Sequence, residues 1–187
     1  MTKRWLPFLL LGVLAAGRAS AQDVWTQADR ETRRLAPSSF TALPPKVLSA
    51  IEDRRCLVPQ SFAETTPHNV IRGSFAHRGQ TDWAVLCSRA HASTIFVVWG
   101  GPGGCPDEME VREDRAFLTK GAGGSIRFAR RLDLASREFI LKMHKLYGGD
   151  APPPLDHQGI EDGFIGHGST IRYCDGGKWL ELTGQQE

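Results

Sequence analysis

Four cysteines, Cys56, Cys87, Cys105 and Cys174, restrict this chain more than any other feature, because all of them follow an export signal. The N-terminus reads MTKRWLPFLLLGVLAAGRASAQ: Lys3 and Arg4, an apolar run from Trp5 to Ala16, then the small residues Ala19-Ser20-Ala21. That layout predicts a secretory signal peptide over residues 1–21, cleaved between Ala21 and Gln22. The apolar run is shorter than the roughly 20 residues of a bilayer span. No cysteine follows it until Cys56, which argues against a lipid anchor. An even cysteine count in an oxidising compartment predicts two disulfides. Sequence leaves three connectivities open, and the expected one is Cys56–Cys87 with Cys105–Cys174. There Cys56 follows a helix and Cys87 ends a strand of the same unit, while the second bridge ties a glycine-rich loop to a C-terminal hairpin. Neither a CxxC pair nor a Cys/His cluster at zinc spacing is present.

Cleavage also changes the charge. Lys3, Arg4 and Arg18 leave with the signal, so 23 basic residues become 20 against 21 acidic ones, and the formal net charge passes from +2 to −1. No basic field remains to draw nucleic acid. Residues 22–187 are enough for a single secreted α+β domain with its own core, expected in the periplasm or outside the cell. Membrane insertion after cleavage is not expected.

Periodicity places the elements. VWTQADRETRRL predicts a short N-terminal helical segment, and KVLSAIEDRR a second, with Pro45 in its first turn and Val47, Leu48 and Ile51 as its apolar stripe. NVIRGSF, DWAVLCS and STIFVVWGG read as strands, the last covered on both faces. SIRFARRL reads as one more strand. A helix is predicted near 136–147, with Ser136 as N-cap, Phe139, Ile140, Met143 and Leu146 as its face, and Gly148 ending it. The C-terminal stretch reads as two or three strands turning at Asp175-Gly176-Gly177. The fold class is therefore α+β, built on antiparallel sheets, which the resemblance to a repeat family given next implies are blade-like.

Two segments echo each other. GQTDWAVLCSRAHASTIFVVW and GIEDGFIGHGSTIRYCDGGKW both run Gly-x-x-Asp, aromatic, Ser-Thr-Ile, with a shorter turn in the second. GSFAHRGQTDWAVL resembles the loop of FG-GAP or VCBS-type repeats, approximately Gly-Asp-Phe-Asn-Gly-Asp-Gly-x-x-Asp-Leu-Ala-Val. In that family, oxygen ligands from alternate loop positions and the closing Asp hold a calcium ion. Gly73, Phe75, Gly79 and Asp82 keep the frame, but Ser74, Ala76 and Arg78 stand at the ligand positions. The expectation is a sealed loop in which Arg78 takes the cation's place and pairs with Asp82. In the second copy Asp156, Gln158 and Asp162 still offer oxygens, with Pro154 where the first ligand would fall. This implies a weak calcium site or, alternatively, carboxylates that cap turns; no other cofactor is expected. Over RRLAPSSFTALP, CLVPQ, HNVIRGSFAHRGQTDWAVLCS, LDHQGIEDGFIGHGST and GKWLELTG the chain also resembles a family of uncharacterised secreted bacterial proteins. That resemblance transfers no catalytic residues.

No Gly-x-Ser-x-Gly elbow is present. Trp83, Trp99 and Trp179 are candidates for an aromatic platform that would bind a glycan or an envelope protein, although strand periodicity also suits them to the core. The leading expectation is an exported non-catalytic interaction module. The alternative is a secreted hydrolase using His157, Asp162 and His167 of the C-terminal loop.

Overall fold

The computed structural model describes residues 21–186. Apart from Ala21, the expected signal segment lies outside the described residues. In chain order the elements are α1 (Ala21–Glu31), β1 (Arg34–Leu35), α2 (Pro45–Asp53), β2 (Val58–Pro59), β3 (Val70–Gly73), β4 (Asp82–Arg89), β5 (Ala92–Val98) and β6 (Arg112–Glu113). They continue with β7 (Leu118–Lys120), β8 (Ile126–Phe128), β9 (Arg130–Ala135), α3 (Arg137–Tyr147), β10 (Gly159–Phe164), β11 (Gly168–Asp175) and β12 (Lys178–Thr183). The fold is α+β: three helices and four antiparallel sheets among the described residues.

Two four-stranded sheets, ordered β3-β4-β5-β6 and β12-β11-β10-β9, face each other. Side chains alternate along a strand, so β4 sends Ala84 and Leu86 inward, to meet Leu132 and Ile160 of the second sheet, and Val85 and Cys87 outward. Val47 and Ile51 of α2 cover that outer face. On the far side, Ile140 and Met143 of α3 cover Ile171 and Tyr173 of β11. The layers therefore run helix, sheet, sheet, helix, and β4 and β5 are buried at nearly every position because both of their faces are covered.

α3 starts and stops where its end residues dictate. Ser136 accepts a hydrogen bond from the Phe139 N–H at 3.1 Å, and Gly148 leaves the helix at φ 73°, a conformation that strains side chains with a Cβ. SIRFARRL, read as one strand, is two: Ala129 separates β8 from β9, and its N–H donates to Phe117 O.

Side-chain amides join the sheets along β3 and β9. Asn69 donates to Arg130 O at 3.2 Å and accepts from the Leu132 N–H at 2.9 Å, so its carboxamide acts as a peptide group. Gln158 grips Ser74 beyond β3 with both parts of the residue: its backbone N–H donates to Ser74 O, and its side-chain Oε1 accepts the Ser74 N–H. Two disulfides, Cys56–Cys87 and Cys105–Cys174, close the architecture. The first holds the end of α2 to β4 and the second ties the 100–108 loop to β11. Such bridges fit an oxidising, extracytoplasmic compartment. No described helix is long and apolar enough to cross a membrane.

Candidate functional site

The loop before β4 is sealed, but not by arginine. Asp82 is fully buried. Its Oδ2 accepts the N–H groups of Phe75 (2.8 Å) and Ala76 (3.1 Å), while Oδ1 accepts the Gly100 N–H (2.9 Å) and the Gln80 side-chain amide (2.7 Å). Arg78 is exposed, on the rim of the loop. The expected Arg78–Asp82 pair is therefore corrected: the chain's own N–H dipoles neutralise the carboxylate, and both oxygens face donors rather than a cation.

A tethered cation does appear at the second aspartate. Arg130 makes a two-pronged contact with Asp162, Nε to Oδ1 at 2.8 Å and Nη2 to Oδ2 at 2.9 Å. Ser93 accepts from Nη1 at 3.0 Å, and the guanidinium lies over the Phe117 ring. Arg172 lies close by, its Nη2 3.9 Å from Asp162; burial, opposed by the pull of Asp162, lowers its pKa. The Asp156–Gln158–Asp162 calcium set is not assembled. Asp162 is bound to Arg130, the Gln158 carboxamide to Ser74, and Asp156 projects outward beside His157 (2.6 Å). The hydrogen bond from His157 holds the Asp156 carboxyl below its usual range. Among the described residues, no three His, Cys, Asp or Glu side chains gather as a metal site.

The tryptophans divide. Trp99 and Trp179 stack with centroids 5.8 Å apart, and Trp179 Nε1 donates to Pro106 O, beside the Cys105–Cys174 bridge. Trp83 pairs in register with Val98 and packs with it on the α2 side of the sheet, whereas Trp99 packs toward the layer between the sheets. A platform of all three is thus corrected by strand parity. His157 and His167 flank opposite ends of β10, a strand of six residues that rises about 20 Å. His157 stacks on Tyr173 and His167 on Phe164. No His157–Asp162–His167 cluster forms.

A different constellation lies where the irregular segment after β2 meets α1 and β8. A groove of about 340 Å³ runs between the C-terminal end of α1, residues 60–64 and β8. Its floor is apolar: Ala28, Phe62, Ile126 and Phe128. Arg34 fixes the α1 wall by bridging Asp29 (2.5 Å) to the fully buried Asp114 (2.8 Å). Of the charged lining residues, Glu31 accepts from Gln27 (2.6 Å) and Glu64 from Arg131 (3.3 Å). Arg33 forms no ion pair among the described residues, and neither does Arg127, whose guanidinium covers the Phe62 ring at 4.2 Å.

Gln60, which also lines the groove, clamps the loop. Its amide donates to Val58 O and His68 O, both at 3.0 Å, and its oxygen accepts the His68 N–H at 2.9 Å. His68 is thereby set against Ser61: Nε2 lies 2.8 Å from the Ser61 nitrogen and 3.0 Å from its Oγ, and Nδ1 lies 3.0 Å from Thr66 O. Because a carbonyl only accepts, Nδ1 carries the proton and Nε2 the lone pair. Sequence reading passed over this pair, which lies in a segment without periodicity; its one signal was a Ser and a His seven residues apart among turn formers.

Compared with protein-family models, with curated proteins and with solved structures, the chain matches none.

Proposed function

We propose that the protein works in the periplasm or outside the cell as a ligand-binding module of the envelope, with the groove between α1 and β8 as its site. The observation that carries this is the pairing of an apolar floor with two guanidiniums, Arg33 and Arg127, that lack acid partners. At about 340 Å³ the groove lies at the small end of ligand pockets. Apolar surface favours a hydrocarbon or aromatic body, and a guanidinium favours a carboxylate or another oxyanion. The ligand class is thus an amphiphilic anion, such as a medium-chain carboxylate. A glycan loses its support once Trp83 faces away from the Trp99–Trp179 stack, and hydrolysis through His157 and His167 once they lie at opposite ends of β10.

Fluorescence titration with anilinonaphthalene sulfonate, competed by dodecanoate, tests the reading. Saturable binding is expected, weakened at least about tenfold in Phe62→Ala and Arg127→Ala, each loss being on the order of 1.4 kcal/mol. Melting temperatures of both variants, measured alongside, separate lost binding from lost fold. Binding that is unsaturable, or indifferent to both substitutions, would rule the groove out.

A further inference from the structure

We propose that Ser61 and His68 form a nucleophile–base pair that cleaves carboxylic esters whose acyl group lies in the groove. The inference rests on the groove being the ligand site. It adds a reaction, and the product of that reaction, an apolar chain ending in a carboxylate, belongs to the class of anion the groove suits.

Three observations carry it. Ser61 lines the groove, with Oγ 3.0 Å from His68 Nε2. The Nδ1–H bond to Thr66 O fixes the tautomer that leaves Nε2 able to take a proton, the role an acidic third residue has in other nucleophile–base–orienter triads. Gln60, itself buried, holds the His68 backbone from both sides, so the base cannot drift from the nucleophile.

In the first step Oγ bonds to the ester carbonyl carbon while its proton passes to Nε2. The C–O bond to the alcohol then breaks, and the imidazolium returns the proton to the leaving oxygen. Water, giving its proton to the same nitrogen, next attacks the acyl-serine, and the acid departs as Oγ–H is restored. The Phe62 N–H is committed to Phe128 O, so the developing oxyanion depends on Arg33 and Arg127 rather than on that backbone donor. Ser61 also gives its own N–H to Nε2 at 2.8 Å. Oγ therefore shares that lone pair at rest, and slow turnover confined to reactive esters is expected.

A fluorophosphonate probe applied to the oxidised protein tests this, with peptide mapping of the adduct and dye binding measured in parallel. The expected result is one adduct per chain on Ser61. It should be absent in Ser61→Ala and formed about 100-fold more slowly in His68→Gln, with the melting temperature of each variant recorded alongside. The wild-type measurement needs no variant to fold. A wild type that binds the dye but takes no probe overturns the reaction and leaves the groove standing; one that does neither overturns both. An adduct on another residue, or on Ser61 at an unchanged rate in His68→Gln, overturns the pair.

Discussion

Asp82→Asn measures how the loop before β4 is held shut. The native carboxylate accepts four N–H donors, two on each oxygen, and is fully buried. An asparagine keeps one acceptor oxygen. If that oxygen faces Phe75 and Ala76, the new NH₂ points at the Gly100 N–H, while the Gln80 amide can flip to accept it. One buried backbone donor is then unmet, at about 1–3 kcal/mol, and two bonds to a charged acceptor become bonds to a neutral one, each losing half of the ~1.5–3 kcal/mol such a bond contributes. The opposite orientation strands two backbone donors and costs more. The loss should therefore be about 3–5 kcal/mol, a large share of the roughly 5–15 kcal/mol of a typical domain. At about 2–4 °C per kcal/mol for a chain of this size, the melting point should fall by roughly 6–20 °C. Urea unfolding followed by tryptophan fluorescence, with the disulfides intact, reads this as a lower midpoint at unchanged slope. Arg78→Ala is the control and should stay within about 0.5 kcal/mol. A loss below about 1 kcal/mol in Asp82→Asn, or a larger one in Arg78→Ala, would refute the N–H cage.

The other predictions use the same melts. Arg130→Ala strands the buried Asp162 carboxylate and should cost about 3–5 kcal/mol, whereas Arg130→Met with Asp162→Leu should recover most of it; equal losses in the two would show that burial of charge is not the cause. Replacing Cys105 and Cys174 by serine opens a loop with a sequence separation of 69 residues and should cost about 4 kcal/mol on the chain-entropy model, checked by urea midpoints with and without reductant. Burial raises the Glu161 pKa, partly offset by the Ser169 hydroxyl that donates to it at 2.6 Å. A raised carboxyl pKa favours the folded state only while the group is protonated, so this contribution is lost as pH rises through the folded value. Glu161→Gln should therefore gain stability over wild type at about pH 7 and lose that advantage toward about pH 4. A gain independent of pH would refute the assignment.

Local chemistry was legible where it acts locally. Ser136 and Gly148 bound α3 because a hydroxyl cap and a positive φ need only their own neighbours. β4 and β5 were legible because burial on both faces leaves continuous apolar runs. The misreadings have separate causes. RFARRL looks like a basic strand, yet Arg130 is almost wholly buried because it meets Asp162 across 32 residues. The tryptophan platform failed on parity: Trp83 opposite Val98 puts Trp99, one residue on, across the sheet. Asp82 was assigned a side-chain partner because sequence displays side-chain charge, whereas the N–H groups that hold it belong to every residue and become visible only when the chain turns.

The two echoed aspartates therefore dispose of the same charge in different ways. Asp82 is met by dipoles of its own loop and of Gly100, Asp162 by a guanidinium from the neighbouring strand β9. Each solution uses both carboxylate oxygens, so neither loop keeps a vacant ligand set, and a calcium titration should leave the melting temperature unchanged. Their role is structural: the first closes the end of β3–β4, and the second lies between the sheets. The proposed chemistry falls in a region that needs neither loop. Around residues 60–68 the backbone is irregular but pinned by Gln60, Asn69 and the Arg34 bridge, so a groove can be rigid without being regular. That combination suits a site, because loops project functional groups that a regular sheet would bury, and fixed hydrogen bonds hold them in place. Gln60→Ala separates these ideas. It removes the side chain's three hydrogen bonds, two to His68 and one to Val58, and leaves the backbone N–H bond to Arg33 O in place, so it should slow probe attack on Ser61 far more than it weakens dye binding. Equal effects on both would show that Gln60 only maintains the fold.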